Sequence, residues 1–174
     1  HGVMNTDNTC LSGETIDYGP CAFMDAFDYN KVFSSIDYQG RYSYKNQPNV
    51  MLWNLTRFAE TLLPLLDKNI DKSIKKAEEM LGEFATLYES SWISNMGRKL
   101  GIDTPKITDK NLIEEFLNLM QSNELDFNNS FYYLSFLVGN DKNEIETSSN
   151  NQKILSTIQS SDWYIKWKTR LNIN

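Results

Sequence analysis

The sequence predicts a mainly α-helical chain of about six helices, preceded by one short β-hairpin that carries a metal-binding loop. Apolar residues repeat at intervals of three and four across most of residues 50–171, which is typical of helices that bury one face. Near the start, Thr15 and Ile16 suit a strand, and Gly13 can supply the positive φ that tight hairpin turns need. A length of 174 residues fits one domain with a single core.

The first predicted helix begins at Pro48, because a proline has no backbone N–H and the first helical turn does not need one. A buried face is expected on this helix, and Pro64 should end or kink it near Leu63. A second helix is predicted from about residue 70 to 90, and a third over 92–100, ended by Gly101. The second helix should bury one apolar stripe, consisting of Ile74, Ala77, Met80, Leu81, Phe84, Leu87 and Tyr88.

The remaining helices are placed by their caps and by their apolar spacing. Thr108 is expected to cap a helix over 109–121, and Asp126 or a neighbour a helix over 127–138. A last helix, 162–171, places Trp163 and Trp167 one turn apart, and part of that aromatic area should be buried. Residues 141–152 are polar and rich in Asn and Ser, which predicts a mobile surface loop.

Composition excludes several classes of function. The net charge of −6 and the pI near 4.8 argue against a nucleic-acid-binding surface, which needs clustered Lys and Arg. No apolar run approaches the roughly 20 residues of a membrane helix, and no leader pattern opens the sequence, so a soluble chain is expected. Cys10 and Cys21 flank the predicted hairpin; reduced thiols are the default, although a disulfide is possible.

The one cluster suited to chemistry lies within the first twenty residues. A hairpin turning near Gly13 would bring Asn8 beside Asp17, and their hard oxygens suit Mg²⁺. The spacing matches the metal-binding Asn and Asp of protein kinases, with His1 and Asn8 framing the loop and Asp17-Tyr18-Gly19 in place of D-F-G. Val3 stands at the usual catalytic Asp, and a carboxylate lies at Asp7 instead. Taken alone, these Asn and Asp residues also suit simple turn formers.

Longer blocks reveal a family resemblance. The sequence reads His1-Gly-Val-Met-Asn-Thr-Asp-Asn8, Thr15-Ile-Asp-Tyr-Gly-Pro20, Phe23-Met-Asp-Ala-Phe-Asp28, Gln39-Gly-Arg-Tyr-Ser43, Asn46-Gln-Pro48 and Leu52-Trp-Asn-Leu55. These blocks, in this order, resemble the selenoprotein O family, also called YdiU or UPF0061. The resemblance implies a kinase-like fold, a pseudokinase, in which this chain corresponds to most of the C-lobe as a single domain, residues 1–174.

The resemblance also implies an activity, which is AMP transfer from ATP to Ser, Thr or Tyr hydroxyls of proteins. By position, Asp7 matches the catalytic base, Asn8 a metal ligand, and Asp17 a metal ligand that also contacts the nucleotide. The implied cofactors are ATP and Mg²⁺ or Mn²⁺. The implied partners are protein substrates and the N-lobe of a parent chain, which would hold the phosphate-binding elements. The implied location is the cytoplasm in bacteria or mitochondria in eukaryotes, and a fragment of this kind is expected to be inactive alone.

Two questions stay open at this stage. Residues 21–49 form a long loop with seven aromatic side chains, which suits either an activation segment that recognises substrate or a structural loop pinned by aromatic burial. Trp53 and Arg57, four apart on the next helix, are expected to dock this loop, and Arg41 to pair with an acid such as Asp37. The alternative functions are a kinase-like phosphotransferase, disfavoured by Val3, and a non-catalytic helical interaction module with a vestigial site. Residues 50–174 are the predicted helical part of the chain.

Overall fold

A computed structural model of the protein describes residues 2–14, 21–138 and 149–172. Within those ranges the chain is mainly helical, as predicted, and three short 3₁₀ turns lie at Thr6–Asn8, Tyr44–Asn46 and Ile107–Asp109. The α-helices are α1 (Gln47–Leu66), α2 (Ile70–Gly82), α3 (Phe84–Lys99), α4 (Lys110–Asn123), α5 (Phe127–Val138), α6 (Ser149–Gln159) and α7 (Asp162–Leu171).

The predicted N-terminal β-hairpin is wrong. The described residues contain no β-strand, only an isolated bridge between Ala26 and Asp126. Where the first strand was expected, Thr6–Asn8 forms a 3₁₀ turn, because Asn and Asp favour local turns over extended pairing. The tight turn itself is confirmed, since Gly13 has φ +71° and its N–H donates to the Cys10 carbonyl at 3.1 Å. Residues 15–20, which include Asp17, lie outside the described ranges.

Several helix boundaries differ from the predicted ones. Pro64 does not end α1, which continues to Leu66, because a proline in the last turn disturbs few backbone bonds. The helix predicted over 70–90 is broken after Gly82, and α3 instead runs from Phe84 to Lys99. The helix predicted to start at residue 109 starts at Lys110, after a 3₁₀ turn, and its N-cap position is Asp109 rather than Thr108. The Asp109 carboxylate accepts from the Lys106 N–H at 2.7 Å, which closes the 3₁₀ turn and does not cap α4.

The C-terminal helices were predicted best, with one exception. Helices α5 and α7 have the predicted limits, and the Asp126 carboxylate accepts from the Asn129 N–H at 2.7 Å, as expected of a cap. The exception is α6, which begins at Ser149 inside the stretch predicted as a polar loop. Its buried contacts come from Ile154 and Ile158, beyond the low-complexity part of that stretch.

The chain divides into two compact units, and each is described by itself. Unit 1 comprises residues 1–23 and 29–89, and unit 2 comprises residues 24–28 and 90–174. In unit 2 the core is aromatic and aliphatic. Phe116 stacks on Trp163 with ring centroids 4.2 Å apart, and the Trp163 and Trp167 indole N–H groups donate to the Leu112 and Leu100 carbonyls, each at 2.8 Å. The predicted burial of the tryptophans is confirmed, at 4% and 1% exposure.

Unit 1 is built around α1, which packs on α2. The apolar stripe predicted on the second helix is largely wrong. Ala77 is buried, whereas Met80 is 71% exposed and Leu87 61% exposed. Among the described residues, no helix is long and apolar enough to cross a lipid bilayer.

Candidate active site

Asp7 and Asn8 lie together on the 3₁₀ turn Thr6–Asn8, and both side chains are exposed to solvent. The Asn8 N–H donates to the Asn5 carbonyl at 3.0 Å, which closes the turn. Neither side chain has a hydrogen-bond partner among the residues that the structure describes. A carboxylate and a carboxamide are thus displayed side by side and available to a ligand. Asp17, the third predicted site residue, lies outside the described residues.

The backbone around this pair, residues 5–9, is called the N-terminal turn below, and it is fixed from α1. The Asn54 side-chain N–H₂ donates to the Met4 carbonyl at 2.9 Å and to the Thr9 hydroxyl at 2.8 Å. Thr9 in turn donates to the Asn5 carbonyl at 3.0 Å. The exposed pair is therefore carried by a turn that is held at both ends by one helical residue.

Val3, which stands where kinases have their catalytic Asp, is half-buried and provides no proton acceptor in its side chain. Next to it, Gly2 has φ +69°, and a Cβ there would lie 2.8 Å from a ring carbon of Phe33. A side chain at position 2 would have to displace that ring. The N-terminal segment therefore depends on a glycine where it passes the loop of residues 29–46.

The loop of residues 29–46 also contacts the N-terminal turn and α1. The Tyr42 hydroxyl donates to the Asn5 side-chain oxygen, and the Arg41 guanidinium lies over the Trp53 ring, 4.8 Å from its centroid. The prediction that Trp53 docks this loop is confirmed. Arg41 does pair with Asp37, but through its backbone N–H at 2.8 Å rather than through its guanidinium.

Aromatic anchoring of the predicted loop, residues 21–49, is only partly as predicted. Phe23 and Tyr38 are 66% and 91% exposed, so they anchor nothing within the described residues. Tyr44 is half-buried, and its backbone N–H donates to the Lys31 carbonyl at 3.0 Å. Burial raises the pKa of the Tyr44 phenol to about 12, and the nearby Tyr88 and Tyr29 phenols add to the shift. The loop therefore has a desolvated phenol at its end, just before α1.

A groove of about 320 Å³ lies between the N-terminal turn and α1, within unit 1. Its polar side is formed by Thr6, Thr9 and Arg57, and its apolar side includes Leu55 and Phe58. Arg57 is tied down by an ion pair with Glu60 at 2.7 Å and by the Trp53 ring, 5.5 Å away. The groove is thus a preformed recess beside the displayed carboxylate.

The donors present suit a hard divalent cation, but they do not complete a site by themselves. Of the two predicted metal ligands, Asn8 supplies a carboxamide oxygen, a hard ligand that suits Mg²⁺, and Asp17 lies outside the described ranges. Over the described ranges, no group of three acidic, His or Cys side chains is close enough to hold a metal. Asn8 therefore fits Mg²⁺ in donor chemistry, and Asp7, the predicted base, lies next to it on the turn.

Both cysteines are unpaired and exposed, in keeping with the expectation of reduced thiols. The Cys10 sulfur lies 3.0 Å from the Ser12 hydroxyl, and this hydrogen bond, together with one from the Ser12 backbone, lowers the pKa of the thiol. Neither cysteine takes part in the anchoring of the N-terminal turn.

Sequence reasoning missed the residues that hold the site. Asn5, Thr9, Tyr42 and Asn54 were not among the candidates, although Asn54 is part of the Leu52-Trp-Asn-Leu55 block. One signal was available, because an asparagine in the middle of an amphipathic helix is unfavourable unless its side chain bonds elsewhere. The identity of its partners required the structure.

Comparisons with known proteins show the family of this chain. A family model described as protein adenylyltransferase SelO matches residues 1–174. The chain is 51% identical over 171 residues to a protein nucleotidyltransferase YdiU from Clostridium perfringens (strain SM101 / Type A), covering 98% of this chain and 33% of that relative.

Similar relatives occur in other bacteria. Proteins of the same name from Alkaliphilus metalliredigens (strain QYMF) and Brevibacillus brevis (strain 47 / JCM 6285 / NBRC 100599) are 49% and 48% identical, over 99% and 98% of this chain and 33% of each relative. The chain thus spans about a third of the length of the curated relatives that it matches. With a family model matched from end to end and these identities, the chain belongs to the SelO/YdiU family of protein nucleotidyltransferases.

Proposed function

We propose that this chain is the catalytic-loop and helical segment of a protein adenylyltransferase, which moves AMP from ATP onto Ser, Thr or Tyr hydroxyls of other proteins. Family membership supports nucleotidyl transfer in general. The observation that carries the finer proposal is the exposed Asp7–Asn8 pair on a turn held by α1. A turn fixed in this way holds its side chains ready for a reaction, which is how positioned catalytic groups gain rate.

Asp7 acts as the general base in this proposal. The acceptor hydroxyl oxygen attacks the α-phosphorus of ATP, the bond between that phosphorus and the oxygen bridging to the β-phosphate breaks, and pyrophosphate leaves. The hydroxyl proton goes to the Asp7 carboxylate. A carboxylate within reach of the acceptor hydroxyl is one of the common general bases in proteins.

Asn8 and Asp17 would hold Mg²⁺ or Mn²⁺, and Asp17 would also contact the nucleotide. The metal, when bound, neutralises negative charge on the phosphates as the leaving group departs. The groove beside the N-terminal turn suits the acceptor protein, because its Thr6 and Thr9 side can bond a peptide backbone while Leu55 and Phe58 take an apolar side chain.

The remaining parts of the ATP site belong, in this proposal, to the rest of a longer parent chain, since the relatives are three times as long. The exposed apolar side chains of unit 1, such as Leu65 and Met80 at 80% and 71% exposure, suit contact with that N-lobe. This chain alone is therefore inactive, because its metal ligands cannot by themselves align the triphosphate for attack.

The experiment uses the parent protein with ATP labelled on either the α- or the γ-phosphate. Adenylyl transfer leaves the α-label and not the γ-label on an acceptor protein. Phosphoryl transfer leaves the γ-label only, which would favour the kinase-like alternative. Absence of both labels, over a range of acceptor proteins and with Mg²⁺ or Mn²⁺ present, would favour a non-catalytic module. The 174-residue chain by itself serves as the matched inactive control.

A further inference from the structure

Asn54 is a buried polar residue in the middle of a helix. It lies within α1, is 5% exposed, and uses its side-chain N–H₂ group entirely on the N-terminal segment. Its side-chain oxygen is buried and has no hydrogen-bond partner among the described residues. A helix interior that carries a half-satisfied carboxamide gives up stability. The two bonds that Asn54 does make offset this cost by fixing the N-terminal segment.

The two bonds of Asn54 reach opposite ends of the N-terminal turn. The Met4 carbonyl immediately precedes the turn, and the Thr9 hydroxyl is its last side chain. The Thr9 hydroxyl in turn donates to the Asn5 carbonyl. The same carbonyl accepts the hydrogen bond from the Asn8 N–H that closes the turn. One carboxamide thereby fixes where the turn starts, where it ends and how it closes.

The chemistry of this contact is specific to an amide. One nitrogen serves both acceptors and therefore needs two protons, which the side chain of Asn has and those of Asp and Leu do not. An aspartate at position 54 would place a negatively charged oxygen against the Met4 carbonyl oxygen, and the two would repel each other. A leucine of similar volume would leave the Met4 carbonyl and the Thr9 hydroxyl without this donor. The sequence therefore has reason to keep an asparagine where an apolar residue would pack better.

We propose that Asn54 is a positioning residue for the reaction. It touches no reacting atom, but through Met4 and Thr9 it sets the orientation in which the turn presents Asp7 and Asn8. This inference rests on the proposed adenylyl transfer for its catalytic consequence. The mechanical part, which is that Asn54 rigidifies the turn, stands independently of any activity.

The experiment uses the full-length parent protein with variants on both sides of the contact. Asn54→Leu removes the donor from α1. Thr9→Val removes one acceptor from the turn while leaving the helix unchanged, so it remains informative if the helical variant fails to fold. Thr9→Ser keeps the hydroxyl and is the conservative rescue. Thr56→Val is the matched control, because the Thr56 hydroxyl also lies on α1 but does not line the groove and donates to the Leu52 carbonyl of its own helix, at 2.8 Å.

Two readouts are compared. The first is hydrogen exchange of the Asn8 amide, which reports closure of the turn without any substrate. The second is steady-state AMP transfer as a function of Mg²⁺ and ATP. We expect Asn54→Leu and Thr9→Val each to speed exchange about tenfold or more, to lower kcat by about 10–100-fold, and to raise the Mg²⁺ concentration needed for half-maximal rate. Thr9→Ser and Thr56→Val should match the parent in both readouts.

The outcomes separate the two proposals. Asn54→Leu and Thr9→Val proteins with parental Asn8 exchange would overturn the role of Asn54, whatever their activity. A loss of kcat with an unchanged Mg²⁺ requirement and a lower melting temperature would also overturn it, because that pattern is general destabilisation. If the parent transfers no AMP while the exchange of Asn8 changes as expected, the proposed function fails and the turn-holding role of Asn54 stands.

Discussion

The two units of the chain bury very different material. Nearly all of the buried apolar side chains of the described residues belong to unit 2, whereas unit 1 buries only Val50 and Ala77 of that class. Unit 1 also buries three polar side chains, those of Ser43, Asn54 and Ser73. Most of the large apolar side chains that remain exposed are in unit 1 as well. Unit 2 is therefore organised around an apolar core, and unit 1 around polar contacts that fix loops.

This difference matches the proposed function, in which unit 1 carries the reacting groups and unit 2 supports the fold. Loops that carry catalytic groups need fixed geometry more than they need burial, and hydrogen bonds supply direction, which apolar packing does not. In unit 1 the contacts from Asn54 and Tyr42 converge on the N-terminal turn. In unit 2, by contrast, the indoles of Trp163 and Trp167 bond to carbonyls only to satisfy groups that burial has desolvated.

The sharpest test of the comparison removes a carboxylate from each unit in the parent protein. Asp7→Ala should lower turnover by about 10²–10⁴-fold, the range for loss of a general base, while ATP and Mg²⁺ binding remain near parental levels. Asp103→Ala, which removes an exposed carboxylate in unit 2, should leave turnover unchanged. Single-turnover transfer and nucleotide binding are measured on both. An Asp7→Ala protein that works at the parental rate would show that the carboxylate only forms the turn.

The second test makes one substitution in two helices of the isolated chain. Leu117→Ala, at 1% exposure in α4, should cost about 2–5 kcal/mol in free energy of unfolding through lost burial and a residual cavity. Leu87→Ala, at 61% exposure in α3, should change it by no more than about 0.5 kcal/mol. Urea unfolding measures both. Equal costs would contradict the assignment of the apolar core to unit 2.

How far the sequence predicted the structure also divides along the two units. In unit 2 the apolar periodicity of α4 and the Asp126 cap of α5 lie in local sequence, so the existence of α4 and the limits of α5 followed from them. In unit 1 the same periodicity failed, since Met80 and Leu87 repeat at helical spacing but are exposed. An apolar stripe on a helix predicts that another surface covers it, but it does not show that this surface belongs to the same chain.

The sequence predicted which residues form the candidate site, but not which bonds hold them in place. Asp7 and Asn8 followed from spacing and from the family blocks, and both lie on one exposed turn. The hairpin was wrong because the segment bonds to Asn54, 45–50 residues away along the chain, rather than to a neighbouring strand. No local pattern encodes a long-range side-chain bond of this kind. The proposed Asn8–Asp17 pairing stays a prediction.

A third test compares two ion pairs that join α4 or its cap to α7 in unit 2. The Asp109 carboxylate is 4% exposed and accepts from the Arg170 Nε at 2.6 Å and Nη2 at 3.0 Å, and these bonds lower its pKa. Asp109→Asn should cost about 1–3 kcal/mol, towards the lower end because the Arg170 side chain is 35% exposed. Glu115→Gln, which breaks a surface pair with Lys166, should cost at most about 1 kcal/mol.

The pH dependence of the Asp109 pair has a definite sign. Because the pKa of Asp109 is lower in the folded state, its contribution is complete above the unfolded pKa of about 3.9 and is lost as the pH falls through the folded pKa. Urea unfolding at pH 7 and at pH 3 should therefore show the Asp109→Asn penalty shrinking in acid. A penalty that is constant over this range would mean that the pair contributes packing and not charge.

The smallest effect at pH 7 is expected at the phenol of Tyr44, which tests whether the polar interior of unit 1 is desolvated. Its pKa is raised from 10.0 to about 12 by burial, and then by Tyr88 and Tyr29. Between those two pH values the unfolded chain has released this proton and the folded chain has kept it. The free energy of unfolding must therefore fall with rising pH, by up to about 1.4 kcal/mol per pH unit from this group alone.

Tyr44→Phe removes that component, so the stability of this variant should decline less steeply from pH 10 to 12. At pH 7 the variant should differ from the parent by no more than about 1 kcal/mol. Tyr38→Phe is the control, since that phenol is 91% exposed and should leave the slope parental. If Tyr44→Phe and Tyr38→Phe give the same slope as the parent, the phenol of Tyr44 is solvated and the loop of residues 29–46 is held by its backbone bonds alone.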